Sequence, residues 1–336
     1  MVAQIDMAFL KARPRKLWPR LLAYTLFEGR PLTTRGRWIN PIVFALFRLW
    51  VKLPAFTHDE RPIYILGVGR SGTTILGTIL ALHRDVGYLN EPKALWHAAL
   101  GDDDLIGSYS KTPGRFRMSH ADATAQKIQR LRRFYGAFLA TSGSRRIVDK
   151  YPELLFRPGL IKATFPRAKK IVLIRNGLDI CRSIERWSKI HGQPRDQGVD
   201  DWWGRNRRKW HILVDELVAN DPDLVAILPA IKQLTHHADM AAVEWIVTMR
   251  AALKIQAEVS ENVLFVKYED LVEFPDNTLK TILGFCGLEP DETMLSYARN
   301  TLRPVASGNP YQPSPEILKI FNETMGALGY LPRLAA

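Results

Sequence analysis

The sequence predicts an α/β protein of three layers, in which helices cover both faces of a central parallel sheet. Short apolar runs alternate with amphipathic stretches long enough to be helices. Strands and helices that alternate in this way form parallel sheets that are buried on both faces. Of the 336 residues, 46% are hydrophobic and 24% are charged, which excludes collagen, coiled coil and global disorder.

The strands are predicted from the apolar runs and the helices from the stretches between them. Three runs are strongly apolar (62–67, 170–175 and 263–268), and two are shorter (86–90 and 146–149). Helices are expected at 73–82, 122–140, 153–165, 178–189, 240–259 and 277–286. Residues 191–240 interrupt the alternation, and we interpret them as a helical insertion that caps the active edge of the sheet and binds an acceptor.

The chain divides into a basic helical arm at residues 1–60 and a body at residues 61–336. Within residues 1–54, ten Lys and Arg face two acids, so eight of the 13 net positive charges lie there. Residues 42–53 present a large apolar surface, which we expect to dock on the body, with a membrane surface or a partner as the alternative. Because no zinc-finger, RNA-binding or basic-zipper signature occurs, no nucleic-acid partner is expected.

The sequence favours a cytoplasmic protein that the arm could bring to a membrane. Its most apolar stretch, residues 41–54, is too short to span a bilayer and contains two basic residues, and no leader-cleavage pattern is found. Cys181 and Cys286 form no C-x-x-C motif and are typical of core thiols in a reducing compartment. No residues show metal-ligand spacing, so no metal is expected. The oligomeric state stays open.

A glycine-rich segment follows the first predicted strand, with the sequence Gly67-Val68-Gly69-Arg70-Ser71-Gly72-Thr73-Thr74. As G-x-G-x-x-G, with Glu91 nineteen residues after Gly72, it matches the fingerprint of an NAD(P)-dependent oxidoreductase. As G-x-x-x-x-G-T-T, it resembles a P-loop in which Thr73 replaces the lysine. Both interpretations place a phosphate at a helix N-terminus, to which Thr73 and Thr74 add hydroxyls and Arg70 adds charge. A glycine-rich turn without function is the remaining alternative.

A second motif follows the fourth predicted strand. Arg175 stands at its carboxyl end, where parallel sheets bind ligands, and Ser183 lies about two turns into the next helix. A guanidinium suits phosphate, and a serine facing the same crevice can add a hydrogen bond. The two motifs therefore predict a ligand with two separate phosphates. A nucleotide with 3′- and 5′-phosphates provides them, whereas a nicotinamide dinucleotide does not need the second site there.

Together these motifs resemble those of the sulfotransferases that use 3′-phosphoadenosine 5′-phosphosulfate (PAPS) and release 3′,5′-adenosine bisphosphate (PAP). Residues 70–74 resemble their 5′-phosphosulfate loop, and Arg175 with Ser183 resembles their 3′-phosphate pair. Residues 266–271 and 285–288 resemble their Y-E-D-L and F-x-G-L segments. The resemblance covers about residues 61–290. It is nearer to the bacterial and protein-tyrosine branch, because the loop lysine and histidine base of the phenol branch are not found.

The resemblance implies a P-loop-like fold and assigns the catalytic roles. Glu91 is our candidate base, because related enzymes keep a glutamate after an H-x-D-V segment, here residues 83–86. His83 and His97 are the alternative bases. Lys150, in a K-x-P signature, and Arg70 are expected to meet the charge on the departing phosphate.

The predicted cofactor-binding set extends along the chain. Tyr268, which ends the last apolar strand, is expected near the adenine or the 3′-phosphate, unless it is a packed strand-end aromatic. Arg303 and Ser307 follow the C-terminal contacts of the family. The complete set is Arg70, Ser71, Gly72, Thr73, Thr74, Arg175, Ser183, Tyr268, Arg303 and Ser307.

The predicted function is sulfuryl transfer from PAPS, by in-line displacement, to a hydroxyl or amine of a small natural product or carbohydrate. Four tryptophans at positions 96, 202, 203 and 210 suggest an aromatic pocket. The acids at 102–104 and 200–201 favour a cationic acceptor, unless they are solvated loop residues. The alternatives are an NAD(P)-dependent oxidoreductase built on Gly67, Gly69 and Gly72, and a non-catalytic module that binds a membrane or a partner through the arm.

Overall fold

The central feature of the computed structural model, which describes residues 3–54, 61–195, 198–258, 260–304 and 311–330, is a parallel sheet. Its five strands are β1 (Ile63–Gly67), β2 (Val86–Asn90), β3 (Arg146–Lys150), β4 (Lys169–Ile174) and β7 (Val263–Lys267). They lie in the order β2-β3-β1-β4-β7, and every pairing is parallel. A short antiparallel hairpin joins β5 (Gln193–Arg195) and β6 (Gly198–Asp200).

Helices cover both faces of the sheet. Ile63 and Ile65 of β1 belong to one apolar cluster and Tyr64 and Leu66 to the other, because side chains alternate along a strand. This arrangement confirms the predicted three layers. The helices are α1 (Met7–Ala12), α2 (Leu17–Leu22), α3 (Asn40–Lys52), α4 (Thr73–Ala81), α5 (Lys93–Leu100), α6 (Ala125–Ser142), α7 (Pro158–Thr164), α8 (Gly177–His191), α9 (Arg208–Glu216), α10 (Leu228–Lys232), α11 (His237–Glu258), α12 (Tyr268–Glu273), α13 (Pro275–Cys286), α14 (Glu292–Thr301) and α15 (Pro315–Ala327).

Two predicted elements differ in detail. The helix expected at 153–165 is divided into a 3₁₀ segment, Pro152–Phe156, and α7. Pro158 causes the break, since the residue before a proline is driven out of the helical region, and Arg157 has φ −126° and ψ 38°. The insertion at 191–240 is not wholly helical, because it begins with the β5–β6 hairpin before α9 and α10. No helix in the described part of the chain is long and apolar enough to cross a membrane.

The N-terminal arm covers β2, which is an edge strand of the sheet. An exposed edge carries unpaired backbone groups that invite association with other strands. Side chains of the arm satisfy three such groups, through Lys16 Nζ to Val86 O (2.7 Å), Arg20 Nη1 to Tyr88 O (3.1 Å) and Asn90 N to Glu28 Oε1 (2.7 Å). The arm therefore docks on the body and protects the strand that leads to Glu91.

A buried ion pair holds the arm in this position. The Arg20 guanidinium donates to both carboxylate oxygens of Glu28, at 2.5 and 2.8 Å, and the two side chains are only 3% and 5% exposed. Arg13 adds a second attachment by pairing with Asp291 at 2.7 Å. A charge removed from water in this way is stable only while its partner remains.

Replacing Glu28 by glutamine should lower the free energy of unfolding by about 3–5 kcal/mol, because Arg20 becomes a buried cation without its anion. Urea denaturation measures this loss. The matched control is Asp276→Asn, which removes the acid of the Arg299 pair, where the side chains are 41% and 40% exposed. That variant should change the free energy of unfolding little, because water screens an exposed ion pair. Equal losses in the two variants would show that the buried pair does not anchor the arm.

Candidate active site

The carboxyl ends of the five parallel strands lie along the same end of the sheet, and each strand leads to a residue that the sequence singles out. β1 runs into the glycine-rich loop, and β2 runs into Glu91. β3 ends at Lys150, β4 is followed by Arg175, and β7 is followed by Tyr268. The loop after β1 also lies where the strand order reverses, which is the position at which open α/β sheets bind ligands.

The glycine-rich loop turns sharply and leads directly into α4. Arg70 and Gly72 both have positive φ, at 71° and 93°. Glycine is required at position 72 for two reasons. Its φ is positive, and a Cβ there would lie 2.3 Å from the ring of Tyr268. Ser71 is buried, and its hydroxyl donates to Val68 O at 2.7 Å, so the Ser71 side chain stabilises the turn.

The N-terminus of α4 is open toward a groove. Gly72 is its N-cap residue and offers no side-chain cap, so among the described residues no side chain caps the first N–H groups of the helix. The side chain of Thr74 is exposed beside them, whereas Thr73 is 2% exposed. Free N–H groups and a helix dipole at this point suit a phosphate.

The structure brings the second motif against the loop. Arg175 Nη1 donates to Arg70 O, and Arg70 Nε donates to Ser183 Oγ, both at 3.1 Å. The Arg175 guanidinium lies 4.4 Å from the centre of the Tyr268 ring. These four residues line a groove of 370 Å³ together with Gly72, Thr73 and Thr74.

Two further arginines line this groove, and the sequence reasoning missed them. Arg182 and Arg186 lie on α8, where Arg186 is three residues beyond Ser183 and therefore on the same side of the helix. Asp179 is the one acid among the described residues that line the groove, and it pairs with Arg182. Helical spacing from Ser183 was the signal that could have revealed Arg186.

The groove is electrostatically prepared for a polyanion. Burial, followed by the repulsion of Arg175, lowers the pKa of Arg70. Arg175 is 7% exposed, and its Nε is buried without a hydrogen-bond partner among the described residues. An anion that binds between these guanidinium groups relieves their mutual repulsion and is therefore bound favourably. The groove thus fits a ligand with more than one phosphate.

The predicted base and the predicted lysine form an ion pair next to the loop. Glu91 Oε1 lies 2.5 Å from Lys150 Nζ, and Glu91 Oε2 lies 3.3 Å from Lys93 Nζ. The backbone N–H of Glu91 also donates to Lys150 O at 2.7 Å, which extends the β2–β3 pairing by one residue. Lys150 is 1% exposed, whereas the Glu91 side chain is 37% exposed.

This pairing determines the protonation state of Glu91. Burial acts to raise the pKa of its carboxyl, but the ammonium groups of Lys150 and Lys93 outweigh burial and hold the pKa well below its usual range. Lys93 was not predicted from the sequence. In this arrangement Glu91 is ionised, as a base must be, but both of its oxygens are occupied.

The two alternative bases do not line the crevice around Glu91. His83 is fully buried, with Nε2 2.9 Å from Glu289 O and Nδ1 accepting from Asp85 N at 3.2 Å. The Nδ1 of His97 lies 3.2 Å from Asp103. Both rings therefore support local structure.

The C-terminal contacts that the family resemblance implies are not assembled in the described groove. Arg303 donates to the carbonyls of Arg299 (3.1 Å) and Leu302 (2.7 Å) at the end of α14. It is not among the residues that line the groove. Ser307 lies outside the described residues.

A second, narrower crevice of 100 Å³ lies beside Glu91, and residues of the insertion form one of its walls. Trp202 packs so closely on the loop that a Cβ on Gly69 would lie 2.3 Å from its ring. Its indole N–H donates to Glu244 at 2.7 Å, and Glu244 pairs with Lys209 at 2.6 Å. Trp202 is the member of the predicted aromatic group that lines this crevice. The other three, at 96, 203 and 210, are buried in the core.

The acids that suggested a cationic acceptor have structural partners. Asp104 accepts four backbone N–H groups of residues 107–110, and Asp102 pairs with Arg115 at 2.5 Å. Asp103 lies between His97 and Arg157, and the Asp201 carboxylate accepts from Trp203 N. These acids therefore shape loops, and Asp201 also lines the crevice beside Glu91.

The comparison with protein families points to one class of protein. The model of the sulfotransferase family matches residues 62–226, just under half of the chain, which include the loop, Glu91, Lys150 and the Arg175–Ser183 motif. This match supports a sulfotransferase family for the chain.

Individual relatives are distant. An uncharacterized protein of Aquifex aeolicus (strain VF5) is 26% identical over 264 residues, which are 75% of this chain and 28% of that protein. Nodulation protein NoeE of Sinorhizobium fredii is 26% identical over 244 residues, 70% of this chain and 52% of that protein. The chain thus spans between about a quarter and about half of the length of these curated relatives. Sulfotransferase STF9 of Mycobacterium avium shares the fold, with a TM-score of 0.50, 13% identity and 98% of both chains covered.

A buried carboxyl lies beneath the site, next to Lys150. Asp149 accepts from Tyr135 Oη at 2.5 Å and from Trp96 Nε1 at 2.9 Å, while its Oδ1 has no hydrogen-bond partner among the described residues. Burial raises the pKa of Asp149 to about 7, although both hydrogen bonds act to lower it. An unfolded aspartate titrates near pH 4, at about 3.9. Between these two values the folded protein binds the extra proton, so stability falls as pH rises.

The free energy of unfolding should therefore fall by on the order of 2 kcal/mol between about pH 5 and about pH 8. In Asp149→Asn the fall should be much smaller, because the amide does not titrate and can still accept from Tyr135 and Trp96. Urea denaturation at several pH values measures both slopes. If the free energy of unfolding of Asp149→Asn falls with pH as steeply as that of the native protein, other groups cause the pH dependence.

Proposed function

We propose that the protein transfers a sulfuryl group from PAPS to a hydroxyl or amine of a small-molecule acceptor. One observation carries the proposal. A groove with an uncapped helix N-terminus and four arginines lies beside an ionised carboxylate, Glu91, that is paired with a buried lysine, Lys150. This arrangement combines a site for a polyanionic nucleotide with a base and a cation for group transfer.

The residues of the groove suit the donor chemically. The N–H groups at the start of α4, with Thr74 and Arg70, would hold the 5′-phosphosulfate. Arg175 and Ser183 would hold the 3′-phosphate, and the partnerless Nε of Arg175 supports this assignment. Tyr268 offers a ring beside that phosphate. When bound, PAPS supplies a sulfuryl group that is activated by its phosphate leaving group.

Lys150 is placed to control when Glu91 becomes a base. Its ammonium group can form a close ion pair with only one strong anion at a time, and in this structure Lys150 Nζ lies 2.5 Å from Glu91 Oε1. An anionic donor that attracts Lys150 Nζ would release that oxygen and raise the pKa of Glu91 toward its usual range. Glu91 could then accept the proton of the acceptor, while Lys150 and Arg70 would offset charge on the departing phosphate.

The strand order counts against the dinucleotide alternative. In the usual dinucleotide-binding order, strand 2 lies beside strand 1, and the acid after strand 2 contacts the ribose. Here β3 lies between β1 and β2, so the two strands are about 10 Å apart at two strand spacings. Glu91 is moreover engaged by Lys150 and Lys93, which a ribose-binding acid does not require. The purely non-catalytic alternative leaves this ion pair without a role.

PAP should bind to the protein in isothermal titration calorimetry, whereas NAD should not. Arg175→Ala should weaken PAP binding by on the order of 10- to 100-fold, because it removes charge-assisted hydrogen bonds. The control is Arg145→Ala, an arginine that is 85% exposed and lies after α6. Binding of NAD without PAP would overturn the proposed donor.

Glu91→Gln and Lys150→Met should each lower turnover by on the order of 100-fold or more while PAP still binds. Labelled PAPS with a panel of sugars, phenolic natural products and amines provides the assay and also defines the acceptor. His97→Gln is the control, since His97 contacts Asp103 and should not affect the reaction. Full turnover in the Glu91 and Lys150 variants would refute their assigned roles.

A further inference from the structure

The arm helix α3 presents apolar side chains to solvent as well as to the core. Val43 and Phe47 are buried beneath it, at 0% and 1% exposure. On the opposite side Trp38, Ile42 and Leu49 are 77%, 51% and 48% exposed. Trp38 lies in the 3₁₀ turn that runs directly into α3, and positions 38, 42, 45 and 49 have the spacing of a single helical face. We call these exposed side chains the apolar stripe.

A row of cations lies along the stripe. Arg37, Arg48 and Lys52 share the neighbouring face of the helix, and Arg35 precedes it. None of these four has an ion-pair partner among the described residues. The sequence contains no acidic residue between Glu28 and Asp59. We call Arg37, Arg48 and Lys52 the basic row.

An apolar groove of 750 Å³ continues from the stripe. Leu49, Phe44 and Phe134 contribute to its walls, and Arg48, Lys52 and Arg130 also line it. The groove therefore combines apolar walls with cationic side chains, as the exposed face of α3 does. Both features suit a ligand that is apolar and anionic.

We propose that the apolar stripe and the basic row dock the protein on the surface of an anionic lipid bilayer, with α3 lying in the plane of the interface. Tryptophan and aliphatic side chains enter the headgroup boundary, and Lys and Arg attract anionic headgroups. Nucleic acid would match the cations but not the stripe. A second copy in a two-fold dimer would bring the basic row against itself, which opposes association. This docking does not depend on sulfuryl transfer.

Co-sedimentation of the full chain with lipid vesicles tests the proposal. Binding is expected to vesicles that contain phosphatidylglycerol, and not to vesicles of phosphatidylcholine alone. Replacing the basic row (Arg37→Gln, Arg48→Gln, Lys52→Gln) should weaken binding by on the order of 100-fold. Replacing part of the stripe (Trp38→Ser, Ile42→Ser) should weaken it by on the order of tenfold or more.

Matched variants elsewhere on the surface provide the controls. Arg145→Gln, Lys189→Gln and Lys319→Gln remove three charges from side chains that are 85%, 70% and 87% exposed. Ile190→Ser and Val199→Ser remove two apolar side chains that are 66% and 47% exposed. Both controls should bind vesicles like the native protein. Thermal unfolding and PAP titration of every variant separate a loss of docking from a loss of fold or of the donor site.

Three results would overturn the proposal. The first is the absence of binding to phosphatidylglycerol vesicles. The second is an equal loss of binding in the α3 variants and the controls. The third is a dimer in sedimentation velocity that Ile42→Ser dissociates, without binding to vesicles. In that case the stripe is an interface between two copies of the chain.

Discussion

The parallel register of β2, β3 and β1 is the constraint on which the site depends. Asn90 pairs with Lys150, and the next backbone hydrogen bond, from Glu91 N to Lys150 O, holds the carboxylate beside the ammonium. The same sheet positions the loop after β1 and Arg175 after β4 at one edge. A shift of one residue in the β2–β3 pairing would turn these side chains to the opposite face and separate Glu91 from Lys150.

Charge is distributed between two neighbouring parts of this edge. The groove concentrates guanidinium groups, and the pKa of Arg70 is lowered there. The adjacent Glu91 is ionised, and Lys150 and Lys93 balance its negative charge. Without an anion, the arginines repel one another and Glu91 is fully engaged. An anionic ligand in the groove would relieve the first condition and compete with Glu91 for Lys150. In the proposed reaction, binding of the donor and activation of Glu91 would then be coupled through the ammonium group of Lys150.

The arm links the rest of the fold to this site. Three of its cations make internal contacts. Arg13 pairs with Asp291, and Lys16 and Arg20 donate to backbone carbonyls of β2, the edge strand that leads to Glu91. The cations of α3 have no such partners in the part of the chain that the structure describes. The net charge of +13 is therefore divided among a ligand groove, structural contacts and an exposed surface. A count of charges could not separate these three uses, because each depends on which side chains are buried together.

Local patterns determined much of this protein. The apolar runs predicted all five strands of the parallel sheet to within about one residue, because strands buried on both faces need continuous apolar sequence. The motifs also singled out the loop, Glu91, Lys150 and Arg175, each of which follows or ends a strand, and Ser183, which lies in α8 beyond Arg175. The roles of these residues in the reaction stay predictions. The tertiary structure decided which distant residues meet. Arg186, Lys93 and Trp202 reach the site from helices and the insertion, whereas Arg303 and the acids at 102–104 are committed elsewhere. Spacing along the chain predicts local conformation, but contacts between elements depend on strand order and packing, which no local pattern contains.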